Sequence, residues 1–136
     1  MAIADDATIS NEDVLLRILL EDWIKNTETG SRPNSLALFD SNFENSCFIS
    51  NAQSFTELQR LFPGLPVAGI PVEVIRTNGF VVERRPDECP GDYAGDRNDH
   101  VVVGPPEPCG RKEYQRMCQA IVKDRRVFML RFAQQG

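Results

Sequence analysis

Three aspartates and the only histidine of the chain lie within nine positions of one another. Asp92, Asp96 and Asp99 precede His100, and Cys89 comes shortly before them. Carboxylates bind hard divalent cations, and an adjacent histidine could act as a general acid or base near neutral pH. The spacing does not match an EF-hand calcium loop, and we assign no metal ligand. Aspartate also favours turns because it hydrogen-bonds to its own backbone, so a solvated turn is the competing interpretation.

A second candidate lies at the start of a predicted helix, where the sequence reads Cys109-Gly110-Arg111-Lys112. Amide groups at a helix N-terminus attract anions and lower the pKa of a nearby thiol. Arg111 and Lys112 add positive charge, so the pattern predicts anion binding. If the fold brings Cys109 to His100, the two would form a nucleophile–base pair. The alternative is that Cys109 is simply a small residue tolerated in a proline-rich connector.

Composition limits the kind of protein that carries these residues. The chain has 136 residues, of which 41% are hydrophobic and 26% charged, as expected for one globular domain. The formal net charge of −5 argues against a nucleic-acid partner. No apolar run is long enough to span a membrane, and the first residues do not resemble a secretory signal. We therefore expect a cytoplasmic protein with no membrane partner, in which the four cysteines are free thiols.

The segment Val72–Arg85 predicts a β-hairpin that would stand next to the Asp/His cluster. Two runs of alternating side chains flank Asn78-Gly79, the preferred pair for a type I′ turn. A two-residue turn would pair Ile75 with Val82 and place Phe80 on the core face. A register slip of one residue would reverse the buried face.

Apolar residues predict a first helix over Asn11–Thr27, with Ser10 as its N-cap and one charged stripe. The apolar surface of this helix is wide, so a homodimer contact and simple coverage of the sheet are both open. Residues 1–10 look like a flexible arm, which leaves 11–136 as a single domain.

Further helices and strands follow from local signals. Ser54 and Glu57 form a capping-box pattern that opens a helix over Phe55–Phe62, and apolar spacing predicts another over Arg111–Lys123. We read Leu65–Ile70 as a connection. Three strands are predicted, of which the last is central and buried: Ser46–Ser50, His100–Val103 and Arg126–Phe132.

This order of elements predicts an α+β fold. We expect a two-layer sandwich with a mostly antiparallel sheet, helices on one face, and a ferredoxin-like core preceded by the N-terminal helix.

The long loop Pro86–His100 leads to the functional hypothesis, because long irregular loops in compact domains are usually functional or mobile. We expect a small soluble binding or accessory protein that acts through this loop and the adjacent sheet surface. The partner would be another protein or a small anionic ligand, and the sequence indicates no particular cofactor. The predicted ligand contacts are Asp92, Arg97, Arg111 and Lys112.

The alternative hypothesis is a small enzyme centred on His100. Its site would join His100 with Asp96, Asp99 and either Cys89 or Cys109, with or without a divalent metal ion.

Overall fold

Eight strands and three helices make up the fold in the computed structural model, which describes residues 3–28, 30–38 and 42–133. The strands are β1 (Val14–Ile18), β2 (Ile24–Thr27), β3 (Gly30–Pro33), β4 (Asn45–Ile49), β5 (Pro66–Pro71), β6 (Val81–Arg84), β7 (His100–Gly104) and β8 (Phe128–Arg131). The helices are α1 (Ala52–Leu61), α2 (Val72–Thr77) and α3 (Arg111–Lys123). Short 3-10 turns lie at Glu21–Trp23, Ser35–Leu38, Pro86–Glu88 and Arg97–Asp99.

Six of these strands form one antiparallel sheet in the order β6-β7-β4-β1-β5-β8, and β2 pairs with β3 in a separate hairpin. Strands β4 and β5 are both antiparallel to β1, so they run parallel to each other, and α1 joins them across β1. The predicted α+β class with a mostly antiparallel sheet is confirmed. The strand order differs from a ferredoxin-like core, because the N-terminal strand β1 lies between β4 and β5.

Two apolar clusters lie on opposite faces of the six-stranded sheet. Consecutive residues of a strand point to opposite faces, and in β1 Leu15 belongs to the larger cluster while Leu16 belongs to the smaller one. Helices α2 and α3 cover the larger cluster, for example through Val74 and Tyr114. Helix α1 packs on the other face through Leu58. The main core is therefore the sheet against α2 and α3, and α1 lies on the opposite face.

The segment Asn11–Thr27, predicted as a helix, instead contains β1, the turn Glu21–Trp23 and β2. Strand β1 is an inner strand, paired with β4 on one side and with β5 on the other. Such a strand is apolar on both faces, which from sequence resembles a helix with a wide apolar surface. The homodimer face predicted on that helix therefore loses its basis.

The predicted hairpin Val72–Arg85 is wrong in its first half, which forms α2 instead of a strand. Asn78-Gly79 ends this helix and does not make a type I′ turn. The Phe80 amide donates to the Ile75 carbonyl at 3.1 Å and the Gly79 amide to the Arg76 carbonyl at 3.2 Å. These two bonds, with Gly79 at φ +92°, form a Schellman C-cap. Only the second half of the segment, β6, is a strand.

Two further assignments need correction. Leu65–Ile70, predicted as a connection, contains most of β5, an inner strand that has proline at each end. The segment Arg126–Phe132 does contain a strand, but β8 is at the edge of the sheet instead of its centre. An apolar run predicts burial on both faces, but Phe128 and Leu130 of β8 remain exposed, as described below.

Several other elements lie where the sequence predicts them. Strands β4 and β7 match within a residue at each end, and α3 matches its predicted range. Helix α1 begins three residues early, because Asn51 is the N-cap. The side chains of Asn51 and Ser54 accept bonds from each other's backbone amides, at 2.8 and 3.0 Å, so Asn51 as N-cap and Ser54 as third helical residue form the capping box. No helix in the described ranges is long and apolar enough to cross a membrane.

Residues 3–10 pack against the domain instead of forming the predicted flexible arm. Ile3 and Ile9 are buried, with 3% and 1% of their surface exposed. The Asp6 amide donates to the Val82 carbonyl at 2.8 Å, which places the segment along the outer edge of β6. The Arg76 guanidinium donates to the carbonyls of Ile9 and Asp6 at 2.8 and 2.9 Å. The segment therefore completes the sheet edge.

Candidate functional site

The His100 ring is held at both nitrogens. Its Nδ1 lies 2.7 Å from the carbonyl oxygen of Arg85, and its Nε2 lies 2.6 Å from Oγ of Ser46. A carbonyl oxygen can only accept, so Nδ1 carries the hydrogen and Ser46 donates its hydroxyl hydrogen to Nε2. Burial is the main cause that lowers the pKa of His100, which therefore stays neutral at pH 7.

The strand register explains why Ser46 meets His100. Strands β4 and β7 are antiparallel neighbours in which Ser46 is opposite Val102, and Phe48 is opposite His100. Ser46 and His100 therefore project from the same face as diagonal neighbours. The Phe48 ring and the imidazole pack in a T-shaped arrangement, with 5.1 Å between ring centres. Sequence reasoning missed Ser46, because only the pairing of two strands far apart in the chain reveals the contact.

The aspartates predicted to accompany His100 bond elsewhere. The Asp99 carboxylate accepts a hydrogen bond from the Asn51 side-chain amide at 3.0 Å. Asp96 caps the turn Arg97–Asp99 by accepting from the Asn98 amide at 2.9 Å. Both carboxylates therefore hold the loop and its contact with α1. In the described ranges, no three His, Cys, Asp or Glu side chains are placed to hold a metal ion.

Neither candidate cysteine reaches His100. Cys109 packs against the larger cluster and lines a small cavity of about 110 Å³ with Phe43 and Pro105. His100 contacts Phe48, which belongs to the cluster on the opposite face of the sheet. Cys89 is buried in that second cluster, on the same face as His100, but both ring nitrogens of His100 are already bonded to Ser46 and to the Arg85 carbonyl. Burial raises the pKa of both thiols, so they stay protonated, and all four cysteines are free.

The predicted ligand contacts do not form one group. Arg97 donates to the Cys89 carbonyl at 2.7 Å and so braces the loop from within. Asp92 is exposed, and its backbone carbonyl accepts from Arg60 of α1 at 2.9 Å. Arg111 and Lys112 lie exposed on the first turn of α3, a helix that packs on the opposite face from the loop. The loop and the α3 start are therefore separate surfaces.

The segment 86–99 is fastened to the domain along its length. The Ala94 amide donates to Glu57 of α1 at 2.8 Å, and the Tyr93 ring stacks on Phe48 with 4.8 Å between centres. Arg84 donates to the Asn98 carbonyl at 3.0 Å. The loop is thus an ordered cover for this face of the sheet.

A cluster of charged side chains borders the imidazole. The Arg85 guanidinium, whose backbone carbonyl holds Nδ1 of His100, pairs with Glu83, with Glu88 at 2.7 Å and with Glu44 at 3.4 Å. Of the charged groups that act on the imidazole itself, Glu88 favours its protonation, whereas Arg97 and Arg85 oppose it. The ring therefore lies among charges of both signs.

A different surface feature lies at β8, the last strand of the sheet. Phe128 and Leu130 are each 42% exposed, and with Leu20 at 56% they are the large hydrophobic side chains that stand out among the described residues. The Phe132 amide donates to the Leu65 carbonyl at 2.9 Å, so alternate residues of β8 point their backbone groups toward β5. The backbone groups of Met129 and Arg131 consequently face the outer edge.

A cleft of about 250 Å³ follows this outer edge of β8. Its lining includes Met129, Leu130 and Arg131 of β8, Pro66 of β5, and Ser31 of β3 on the far side. Strand β3 flanks β8 without joining its sheet. The cleft therefore combines open backbone groups with apolar side chains, a chemistry that suits an extended peptide.

Comparison of the chain with protein-family models, with curated proteins and with solved structures found no match. The fold and its surfaces define an α+β domain with two features of interest: the Ser46–His100 pair and the cleft at β8.

Proposed function

We propose that this chain is a small binding or accessory protein that takes up an extended segment of a partner protein along the outer edge of β8. The observation that carries the proposal is the exposure of Phe128 and Leu130 on a strand at the edge of the sheet. Natural proteins usually protect such edges with charged side chains, proline or a covering segment. An exposed apolar edge strand is therefore typical of a surface that another chain covers.

A partner strand added at β8 would use both the open backbone groups and the apolar side chains of the cleft. A partner strand can hydrogen-bond with the outward backbone groups of Met129 and Arg131, and its alternate side chains can pack on Leu130 and Phe128. Arg131 is already anchored by Glu21, at 2.7 Å, and by the Gly64 carbonyl, at 3.0 Å. This anchoring supports the proposal, because a rigid edge loses little conformational entropy when a partner binds.

The proposal keeps the class of protein that the sequence indicates but moves the main contact from the loop Pro86–His100 to β8. The reason is that the loop uses Arg97, Asp96 and Asp99 to hold its own structure. Its exposed carboxylates, such as Asp92, favour a cationic group over the small anionic ligand predicted earlier. The loop stays a second candidate surface.

The test is selection of binding peptides from a random library displayed on phage. We expect the wild-type chain to enrich peptides with alternating apolar residues. Leu130→Lys should weaken their binding by about tenfold or more, because burial of a leucine contributes roughly 1.5–3 kcal/mol. Hydrogen exchange with bound peptide should protect the Met129 and Arg131 amides.

Leu20→Lys is the matched control, because Leu20 is an even more exposed leucine that does not line the cleft. Peptides that bind Leu130→Lys as well as wild type, or that protect amides elsewhere, would refute the proposal. A doubled mass of the wild-type chain in light scattering, abolished by Leu130→Lys, would identify a second copy as the occupant.

A further inference from the structure

A chain of two hydrogen bonds links the Arg85 carbonyl to His100 and His100 to Ser46. The carbonyl orients the imidazole, and the imidazole orients the Ser46 hydroxyl. The tautomer of His100 leaves the Nε2 lone pair facing the Ser46 hydroxyl at 2.6 Å, within the range for proton transfer. The Arg85 amide donates back to the His100 carbonyl at 2.9 Å, so the residue whose carbonyl orients Nδ1 is itself held by β7. A nucleophile, a base and an orienting group are thus already in place.

The His100 side chain is buried and the Ser46 side chain is exposed, as a fixed base and an accessible nucleophile would require. His100 is only 2% exposed, which keeps water from competing for its ring nitrogens, whereas Ser46 is exposed on the sheet surface. Any buried ring nitrogen needs a hydrogen-bond partner, so what distinguishes this pair is that the partner is accessible. Here the accessible atom is the oxygen that the imidazole accepts from. A small molecule can therefore reach Oγ while the base behind it stays fixed.

We propose that Ser46 is a nucleophile and His100 its general base in the hydrolysis of small carboxylic esters. Oγ of Ser46 attacks the ester carbonyl carbon while its proton passes to Nε2 of His100. The ester C–O bond then breaks, and the imidazolium returns the proton to the departing alkoxide. A water molecule attacks the acyl-serine, gives one proton to Nε2, and releases the carboxylic acid as Oγ recovers its hydrogen.

The charges around the pair define the class of ester. Glu88 stabilises the imidazolium that forms when Ser46 loses its proton, whereas the guanidinium groups of Arg97 and Arg85 destabilise it. Arg85 is itself paired with Glu44, Glu83 and Glu88. Since charges of both signs border the ring, neither an anionic nor a cationic substrate is favoured. The site therefore takes neutral esters.

The experiment is covalent labelling of the full chain with a fluorophosphonate, followed by peptide mass spectrometry. The reagent reacts by the same first step: Oγ bonds to phosphorus, fluoride leaves, and the proton passes through His100. We expect an adduct on Ser46 that is lost in Ser46→Ala. Labelling should slow by about 100-fold in His100→Gln, since a general base contributes roughly 10²–10⁴ to such rates. Hydrolysis of p-nitrophenyl acetate should change in parallel.

Ser10→Ala provides the control, because Ser10 is an exposed serine whose hydroxyl accepts from the Glu12 amide at 3.0 Å and is not hydrogen-bonded to an imidazole. It should leave Ser46 labelling unchanged. A pH series covers the case in which His100→Gln does not fold. Labelling of wild type should fall as the pH drops toward the pKa of the imidazole, which burial lowers from the ordinary 6.5, because the ring, which faces Glu88, Arg97 and Arg85, then becomes protonated. Absence of a Ser46 adduct in folded wild type, or a labelling rate independent of pH, would overturn the proposal.

Discussion

At the scale of single residues, two buried tyrosines differ in what their hydroxyl groups bond. The Tyr114 hydroxyl donates to the Leu38 carbonyl and accepts from the Asn45 side-chain amide at 2.8 Å. The Tyr93 hydroxyl is buried without a hydrogen-bond partner among the described residues. Only the first hydroxyl therefore offsets the cost of its own burial.

We predict that Tyr114→Phe lowers the free energy of unfolding by about 1–3 kcal/mol, because it leaves buried partners unsatisfied. Tyr93→Phe should leave this free energy unchanged or raise it slightly, since it removes an unpaired polar group. Urea denaturation of both variants provides the comparison. Equal losses in the two variants would contradict this account.

The buried imidazole of His100 predicts a dependence of stability on pH. Burial lowers its pKa in the folded state, so the unfolded chain binds the proton more tightly. The stability from the neutral ring is therefore complete above about pH 6.5, the ordinary value, and declines as the pH falls toward the folded pKa. His100→Gln should remove this component. The difference in unfolding free energy between wild type and variant, measured at pH 7.5 and 5, should shrink at pH 5. A constant or growing difference would show that the ring is not held neutral.

The sequence identifies His100 as a candidate but not its partners. Nearness in sequence suggested Asp96, Asp99 and Cys89, yet each of these serves the loop or the core. The groups that do meet the ring are Ser46, 54 positions away, and a backbone carbonyl. A carbonyl exists at every residue, so its role depends entirely on the fold.

At the scale of elements, Asn51 connects α1 to the loop. Its side-chain oxygen caps the helix by accepting from the Ser54 amide, and its amide nitrogen donates to Asp99. We predict that Asn51→Ala lowers the free energy of unfolding by about 1–2 kcal/mol through loss of the cap. Asn51→Asp should retain the cap but bring two carboxylates together.

Thermal and urea unfolding would measure both variants, with Gln53→Ala as a control. Gln53 is exposed in the first turn of the same helix, so its change should stay within about 0.5 kcal/mol. If Asn51→Ala behaves like this control, the cap contributes nothing.

Elements were predicted well where their signal fits only one structure. The apolar spacing of α3 fits only a helix, and the short run of β7 lies between clear breaks. Asn78-Gly79, in contrast, favours both a hairpin turn and a helix C-cap, because both need φ > 0. The choice is made by burial: Val74 and Ile75 of α2 pack into the main core. Local sequence cannot supply this information.

At the scale of the whole molecule, the N-terminal part of the chain supplies an inner strand of the sheet and covers one of its edges. Strand β1, near the N-terminus, separates β4 from β5, and the segment 3–10 covers the edge of β6. Neither arrangement leaves a periodic signal in its own residues. The strand order therefore depends on pairings that no single segment reveals, which is why the class was predicted and the topology was not.

The covered edge of β6 leads to a prediction for the intact domain. Deletion of residues 1–9 would remove two buried isoleucines and leave the Arg76 guanidinium without the carbonyls of Asp6 and Ile9. It would also expose the backbone of Val82, which now accepts from the Asp6 amide. We expect loss of most of the stability and self-association through the opened edge.

Urea unfolding and light scattering would test this deletion, and point variants would separate its causes. Ile9→Ala should lower the free energy of unfolding by about 2–5 kcal/mol while the chain stays monomeric, because it creates a cavity and leaves the edge covered. Ala7→Ser, at an exposed position of the same segment, should change it by less than about 0.5 kcal/mol. A deletion variant with wild-type stability and mass would show that the segment is dispensable. We expect Ile9→Ala to destabilise the domain and only the deletion to cause association. This result would show that the N-terminal segment both contributes to the core and protects the edge of β6.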